Sequence, residues 1–333
     1  MADVSTPRPG LLNGLKNIFR AKPDWDKPQV HPDRKYDLLR SIPYWLIHIA
    51  CVGVIWVGWS WQAVAVAAFL YALRVFTLTA FYHRYFSHRS FKCGRITQFI
   101  FGFIGCSAVQ RGPLWWAAHH RFHHAHSDDE HDLHSPRERG IFWSHMMWFL
   151  TPEAHATNVK LIPDFNRYPE IRWLNKWDLV PAALLAVATY GFGALLEFMS
   201  PESGVTALQM LVWGFFVSTV AVYHVTYLVN SATHLFGNRR YETKDDSRNS
   251  LIIALLTFGE GWHNNHHYYP NSTRQGFFWW EIDISYMVLR TMGLFGLVWE
   301  LRPVPKRLLA PKPKAIPVQT TPATIPIVSE GQS

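Results

Sequence analysis

Four stretches of the chain are almost continuously apolar and each is about 20 residues long: 42–61, 63–82, 180–199 and 208–229. At 1.5 Å per residue, about 20 helical residues span a hydrocarbon core of about 30 Å. Trp and Tyr border the stretches, as they do where membrane helices cross the two interfaces. Buried helices of a soluble core are the alternative, and the lengths and aromatic borders favour a membrane. Ser60, Trp61 and Gln62 alone join the first two stretches, and Ser200–Gly204 joins the last two. Joints this short predict two helical hairpins. The pattern therefore predicts an all-α integral membrane protein with four transmembrane helices in two hairpins.

Charge orients the hairpins. Neither joint carries Lys or Arg, whereas the first 40 residues carry Arg8, Lys16, Arg20, Lys22, Lys27, Arg34, Lys35 and Arg40. The positive-inside rule then puts the N-terminus, the central segment and the C-terminus in the cytosol. Between the hairpins, 96–110 is apolar but too short to span, which predicts a surface or partly inserted helix. Gly112-Pro113 breaks it, and 114–126 reads as a new helix. Residues 127–178 read as a polar, Trp- and Pro-rich cap, 237–250 as a charged loop, and 251–302 as aromatic-rich helix. The division is thus a basic cytosolic segment 1–41, a membrane domain 42–302 and a Pro/Lys-rich tail 303–333 expected to be disordered. The first residues lack the apolar core of a cleaved signal peptide.

The net charge of +8 is mostly juxtamembrane charge, with some to spare for an anionic ligand such as a phosphate-bearing coenzyme. The basic residues form no single stripe or recognised motif, so no nucleic-acid partner is expected. Cys51, Cys93 and Cys106 have no CxxC spacing, which disfavours iron–sulfur, cysteine–zinc and c-type haem sites. Cys51 and Cys106 lie in apolar stretches and read as packing residues.

Histidine is the candidate chemistry. Of 18 histidines, nine fall in recurring groups: His83 and His88 in HRYFSH, His120, His123 and His124 in HHRFHH, His234 in NSATH, and His263, His266 and His267 in HNNHH. Neutral imidazole is the commonest protein metal ligand. Nine are too many for one tetrahedral or octahedral ion, so the count argues for two metals. HxxHH occurs twice, and offsets of three and four share one helical face. His83 and His88 are awkward, because five α-helical residues turn the chain by about 140°. Both can face one centre only if the helix ends or bends between them, or if they serve different metals. Asn230 lies four residues before His234, where its amide can hold a metal-bound water. The other histidines read as surface, hydrogen-bonded or supporting groups. Imidazole suits Zn, Cu, Fe and Ni alike, and the ExxH pattern of soluble di-iron bundles is not prominent.

HRYFSHRSFK, QRGPLWWAAHHRFHHAHSDDEHD and NSATHLFGNRRYETKDDSRNSLIIALLTFGEGWHNNHH together resemble the membrane fatty acyl desaturase family, and most of all its stearoyl-CoA (Δ9) branch of bacterial type. The chain departs locally in having Asp132-Leu133-His134 where family members often carry Asp-Pro-His. The resemblance, over roughly 40–300, implies a cytosolic helical cap around a non-haem di-iron site: two iron ions on the nine histidines above, with Asn230 acting through water. It also implies an oxygen-dependent reaction that consumes two electrons and leaves a cis alkene and water. A fatty acyl-CoA is the substrate implied by that branch, and a glycerolipid acyl chain the alternative. No HPGG, CxxCH or GxGxxG signature is present, so electrons are expected from a separate ferredoxin or cytochrome b5 with its reductase. The expected location is a bacterial plasma membrane, or endoplasmic reticulum in a eukaryote.

Helix geometry adds a tunnel. Tyr71, Val75 and Thr79 share the face of His83, and about nine methylenes beyond the reacting bond, roughly 11 Å, match seven or eight residues of helical rise. Tyr71 is the expected tunnel floor. Arg74 points to the opposite face and is expected to make a hairpin contact or to snorkel. A di-iron membrane hydroxylase and a histidine-rich metal transporter are the competing readings. A transporter places its ligands near the membrane midplane, whereas these lie beyond the helix ends.

Overall fold

The structure, a computed structural model, describes residues 36–310. Most of the basic lead and the tail from 311 onward lie outside the described residues. Four helices are long and apolar enough to cross a membrane: α1, Leu38–Val57, and α2, Trp61–Ser87, then after the first cap segment Val180–Met199 and Ala207–His234. Between the pairs run α3, Arg95–Cys106, α4, Pro113–His126, and α5, Pro169–Lys176. The second hairpin is therefore α6, Val180–Met199, and α7, Ala207–His234. It is followed by α8, Leu251–Leu256, α9, His263–Tyr268, and α10, Ile284–Leu294. A two-residue antiparallel ladder pairs β1, Lys92–Cys93, with β2, Val298–Trp299.

Only 11% and 17% of the most apolar windows of α1 and α6 are buried, against 56% for α2 and α7. The first helix of each hairpin is thus the outer one, left to lipid, and the second is the inner one. Polar side chains fasten the hairpins at the end remote from the histidines. Ser60 caps α2 by accepting from Ala63 N at 3.2 Å and donates to Gln209 Oε1 at 2.7 Å. Gln209 and Trp213 donate to the carbonyls of Val57 and Gly58, each at 2.8 Å.

The inner helices run further than hydropathy suggests. α2 continues through His83 to Ser87, and from Thr77 it is wound as a π-helix. α7 ends in a 3₁₀ turn at His234. Arg121 of α4 donates to the carbonyls of Phe86 and Ser87 at 2.7 and 2.9 Å, serving acceptors that the end of α2 leaves without helical partners. Arg74 does not snorkel; its Nε donates to Leu70 O of its own helix at 3.0 Å, and the rest of the guanidinium reaches across to α7. It is fully buried, donates to Thr219 Oγ1 of α7 at 2.7 Å and pairs with the Ser218 hydroxyl. A charge that cannot reach water must be hydrogen-bonded, and the α7 hydroxyls supply the acceptors.

The apolar segment before Gly112 forms α3, an amphipathic helix with Gln98, Gly102 and Gly105 buried and Ile96 and Ile100 exposed. Gly105 lies against the Tyr82 ring, so close that an added Cβ would stand 2.1 Å from it. That ring is itself held by its hydroxyl, which donates to Gly102 O at 2.9 Å. Residues 127–168 form a cap of short turns at the histidine end. The described start of the tail carries a one-turn helix, Lys306–Leu309, where Tyr241 donates to Leu308 O at 2.7 Å. Gly105→Ala should destabilise the protein by about 1–3 kcal/mol through overpacking, read as a lower thermal unfolding midpoint in detergent. Unchanged melting would mean that α3 is not seated on Tyr82.

Candidate metal centre

The π-winding of α2 settles the awkward pair. A π-helix bonds i to i+5, and His88 N donates to His83 O at 3.2 Å. Residues five apart therefore stand one turn above each other, and the Nε2 atoms of His83 and His88 are 3.2 Å apart. Both face the same point.

The nine histidines fall into two groups. His83, His88, His120, His124 and His266 form one, and His123, His234, His263 and His267 the other; in each, the ligand atoms lie within 4.8 Å of one another. Both HxxHH triplets divide between the groups, in opposite senses. His120 and His124 join the first and His123 the second; His263 and His267 join the second and His266 the first. Each of α4 and α9 thus bridges the two groups.

Nε2 separations around the first group are 2.8 Å for His88–His120, 3.0 Å for His120–His124, 2.8 Å for His124–His266 and 3.0 Å for His83–His266. In the second group, His234 and His263 are 3.1 Å apart. Adjacent ligands about 2.0–2.1 Å from one ion, at tetrahedral or octahedral angles, are separated by about 2.8–3.4 Å. The spacing fits metal chelation. His267 Nε2 is buried with no hydrogen-bond partner, an acceptor aimed at the centre of its group.

Carboxylates behind the rings fix which nitrogen faces inward. His234 Nδ1 is 2.7 Å from Asp128 Oδ2, His123 Nδ1 is 3.1 Å from Asp132 Oδ2, and His267 Nδ1 is 2.6 Å from Asp245 Oδ2. His83 Nδ1 pairs with Glu260. A ring that donates from Nδ1 turns the Nε2 lone pair to the centre, the tautomer that a metal needs. Burial, and then the neighbouring imidazoles, push His88, His120, His124, His263 and His266 well below the ordinary histidine range. Burial brings His267 down to about 4 against the pull of Asp245. These rings are held neutral, as ligands must be. His123 is the exception: burial opposes its charge, but Asp132, Asp128 and Asp245 outweigh it and raise the ring.

Glu260 stands three residues before His263, an ExxH spacing, yet its carboxylate backs His83 instead. Burial alone would raise Glu260, but His83 and Arg84 outweigh it and hold the group low. Arg84, 1% exposed, joins Glu260 Oε1 at 3.0 Å and both oxygens of Asp283 at 2.8 and 3.0 Å. The Gln275 amide lies 3.3 Å from His83 Nδ1 and 3.4 Å from His266 Nδ1. The two asparagines of HNNHH are fasteners. Asn264 Oδ1 accepts from Arg240 N and Tyr241 N, each at 2.8 Å, and Asn265 donates to Glu281 Oε2 at 2.9 Å. Leu133 packs with Trp115 and Trp148, and Asp132 accepts from His134 N at 3.1 Å.

Two cavities meet at the histidines. One is lined by Arg40, Tyr44, Gln110, Arg111, Trp148 and Tyr223, among others. The other runs between α2 and α7, with Val75, Leu78, Thr79, Val225 and Val229 as its apolar walls. Trp116, His120, Thr226 and Asn230 line both. Val75 and Thr79 thus border the inner cavity. Tyr71 is not in its lining; one turn beyond Val75, it donates to Leu256 O at 2.7 Å and packs against Phe258.

A bundle of four membrane-spanning helices, with two carboxylate-backed histidine groups at one end and an apolar cleft leading from them, defines a class of helical integral membrane proteins whose histidine groups are able to hold metal. The comparisons with known proteins name it: a fatty acid desaturase family model matches residues 59–284, and the chain belongs to the fatty acid desaturase family. It is 34% identical over 275 residues to the Delta-9 acyl-lipid desaturase 1 of Arabidopsis thaliana, covering 81% of this chain and 84% of that protein. It is 37% identical over 252 residues to the sn-1 stearoyl-lipid 9-desaturase of Anabaena variabilis, 75% of this chain and 88% of the relative. An acyl-CoA 5-desaturase of Anemone leveillei is 34% identical over 260 residues, 77% and 76% of the two chains.

Sequence reasoning missed Asp128, Asp132, Asp245 and Glu260. Their signal is weak, because two of the four reach histidines more than 100 residues away. Asp245→Ala should weaken metal retention by about 10–100-fold by freeing the His267 ring. Chelator competition on the purified protein reads this directly; wild-type retention would leave Asp245 without a role in orienting the ring.

Proposed function

We propose that the protein desaturates saturated fatty acyl chains, forming a cis double bond at Δ9, with two iron ions carried by the nine histidines and a water held by Asn230. The observation that carries this reading is the meeting of two cavities at His120. One opens beside Arg40 and Arg111, and the other ends in an apolar cleft at membrane depth. An acyl chain can enter from the first, turn at Trp116, His120 and Thr226, and lay its methyl end between α2 and α7. The reacting methylenes then lie against the histidine groups. Bound iron supplies the oxidising power with oxygen that no side-chain acid or base possesses. The protein's own part is to hold the chain, bend it and keep water from it.

The head group is read in two ways. Arg40 and Arg111 suit the phosphates of coenzyme A, in line with the motif resemblance. Relatives named as acyl-lipid desaturases favour a glycerolipid. Electrons come from a separate ferredoxin or cytochrome b5, delivered on the cytosolic side where the positive-inside rule puts the histidines. The membrane is a bacterial plasma membrane or endoplasmic reticulum.

The test is expression in a desaturase-deficient yeast with mass-spectrometric location of the double bond. A new Δ9 monoene is expected. Hydroxylated product would favour the hydroxylase reading, and no product with iron and reductant present would overturn both. Assays of the purified protein with stearoyl-CoA and with stearoyl-glycerolipid separate the head groups. Tyr71, one turn below Val75, is proposed as the floor of the cleft. Tyr71→Ala should move the product profile toward longer chains; an unchanged profile would reduce Tyr71 to a packing residue.

A further inference from the structure

The turn after α4 uses its carboxylates in two directions. Asp128, held at φ 59°, and Asp132 point inward to His234 and His123. Asp129 points outward. Its Oδ2 lies 3.0 Å from His126 Nδ1, and its Oδ1 lies 3.5 Å from His131 Nδ1. The ligand atoms of all three lie within 4.8 Å of one another, and the two imidazole centroids are 5.1 Å apart. None of the three belongs to the nine-histidine set.

We propose that His126, Asp129 and His131 form a third metal site, which takes one exchangeable divalent transition-metal ion. The two ring–carboxylate separations, 3.0 Å to Oδ2 and 3.5 Å to Oδ1, fall in the range for ligands sharing an ion, since bonds of about 2.0–2.2 Å at tetrahedral or octahedral angles put adjacent donor atoms about 2.8–3.6 Å apart. A hydrogen bond accounts for the His126 contact but less well for that of His131. The 3.5 Å from His131 to Asp129 is longer than a nitrogen–oxygen hydrogen bond prefers, yet the ring still turns its Nδ1 to the carboxylate. Among the described residues, Asp129 has no Lys or Arg partner; its carboxylate meets the two rings and the His131 backbone N–H. Two imidazoles and one carboxylate with open positions select Fe2+, Zn2+ or Co2+ over Mg2+ and Ca2+, which prefer all-oxygen shells.

The site is preformed and accessible. Asp129 N donates to His126 O at 3.0 Å, and His131 N donates to Asp129 Oδ1 at 2.8 Å. Little backbone order remains to be imposed by an ion. The side chains of His126, Asp129 and His131 are 34%, 45% and 34% exposed, which suits exchange rather than permanent retention. The placement gives the site a role. An ion here stiffens the turn whose other two carboxylates orient His123 and His234. A metal on the rim thus acts on the buried groups through one short segment, without touching them.

The experiment uses the full-length, tag-free protein with its tightly held ions in place, dialysed against micromolar ZnCl2 and measured for total metal by mass spectrometry. Total metal should rise from about two to about three ions per chain, as expected for one added N2O site. The double variant His126→Ala/His131→Ala and the single variant Asp129→Asn should lose the added equivalent and keep the tight pair, with unchanged thermal melting. A third equivalent retained by the double variant, or no third equivalent in the wild type, overturns the site. Loss of the tight pair in the wild type would instead count against the di-iron reading, so the two proposals fail separately.

Discussion

Nine imidazoles gathered about two common points, with Nε2 neighbours 2.8–3.2 Å apart around the first group and 3.1 Å between His234 and His263, set the constraint on which the rest of the structure depends. Neutral rings so placed present lone pairs to one another, and protonated rings repel outright. A cation at each centre would reconcile them, and an outside support is needed to hold the rings in that posture beforehand. Asp128, Asp132, Asp245 and Glu260 supply that support. Each is a buried or nearly buried anion that takes the Nδ1 side of a ring. Each then needs partners of its own, and the surrounding architecture provides them. Asp128 also accepts from Asp246 N at 2.8 Å and from Ser135 at 2.7 Å. Glu260 leans on Arg84, which leans on Asp283. Buried charge is tolerated here because no member of the chain is left alone.

The helices meet the same demand from the other side. α2 must bring His83 and His88 to one point while still running straight out of the membrane, and a change of winding achieves both. π-turns are rare and gather at functional sites. This one is enclosed on every side, since all residues from Thr77 to Ser87 are buried. The packing of α3 and α4 against it, through Gly105 and Arg121, offsets the less favourable winding.

The sequence carried some of these relations and hid others, for physical reasons. Spans, hairpins and the two HxxHH faces are local periodicities, and α4 and α9 display them as expected. The His83–His88 pair was ambiguous, because an α-helical ruler does not anticipate a π-turn. The supporting carboxylates were hidden because acidic residues in loops are common and the partners of Asp128 and Glu260 are distant in the chain. Arg74 was legible as a charge at membrane depth, expected to contact its hairpin or to snorkel, but not as a buried link to α7, since the side chains that accept from it are ordinary Ser and Thr residues. His126 and His131 read as surface histidines. What sets them apart, the outward turn of Asp129 between two inward carboxylates, depends on one left-handed residue, Asp128, which no periodicity reveals.

The position of the histidine groups at the end of α2 and α7, rather than at mid-membrane, follows from the partners that the site must serve. On the proposed reading, an acyl chain is best accommodated in the apolar cleft between those helices, whereas protons, water and an electron donor belong to the aqueous side. A site at mid-membrane would have to carry its own path for water and charge, as transporters do. A site wholly in the cap would have to lift the acyl chain out of lipid, at about 0.8 kcal/mol for each exposed methylene. Placing the groups at the helix ends removes both penalties. It also fits the turn of Arg74, a charge buried in α2 well before the histidines, away from the cleft and toward α7.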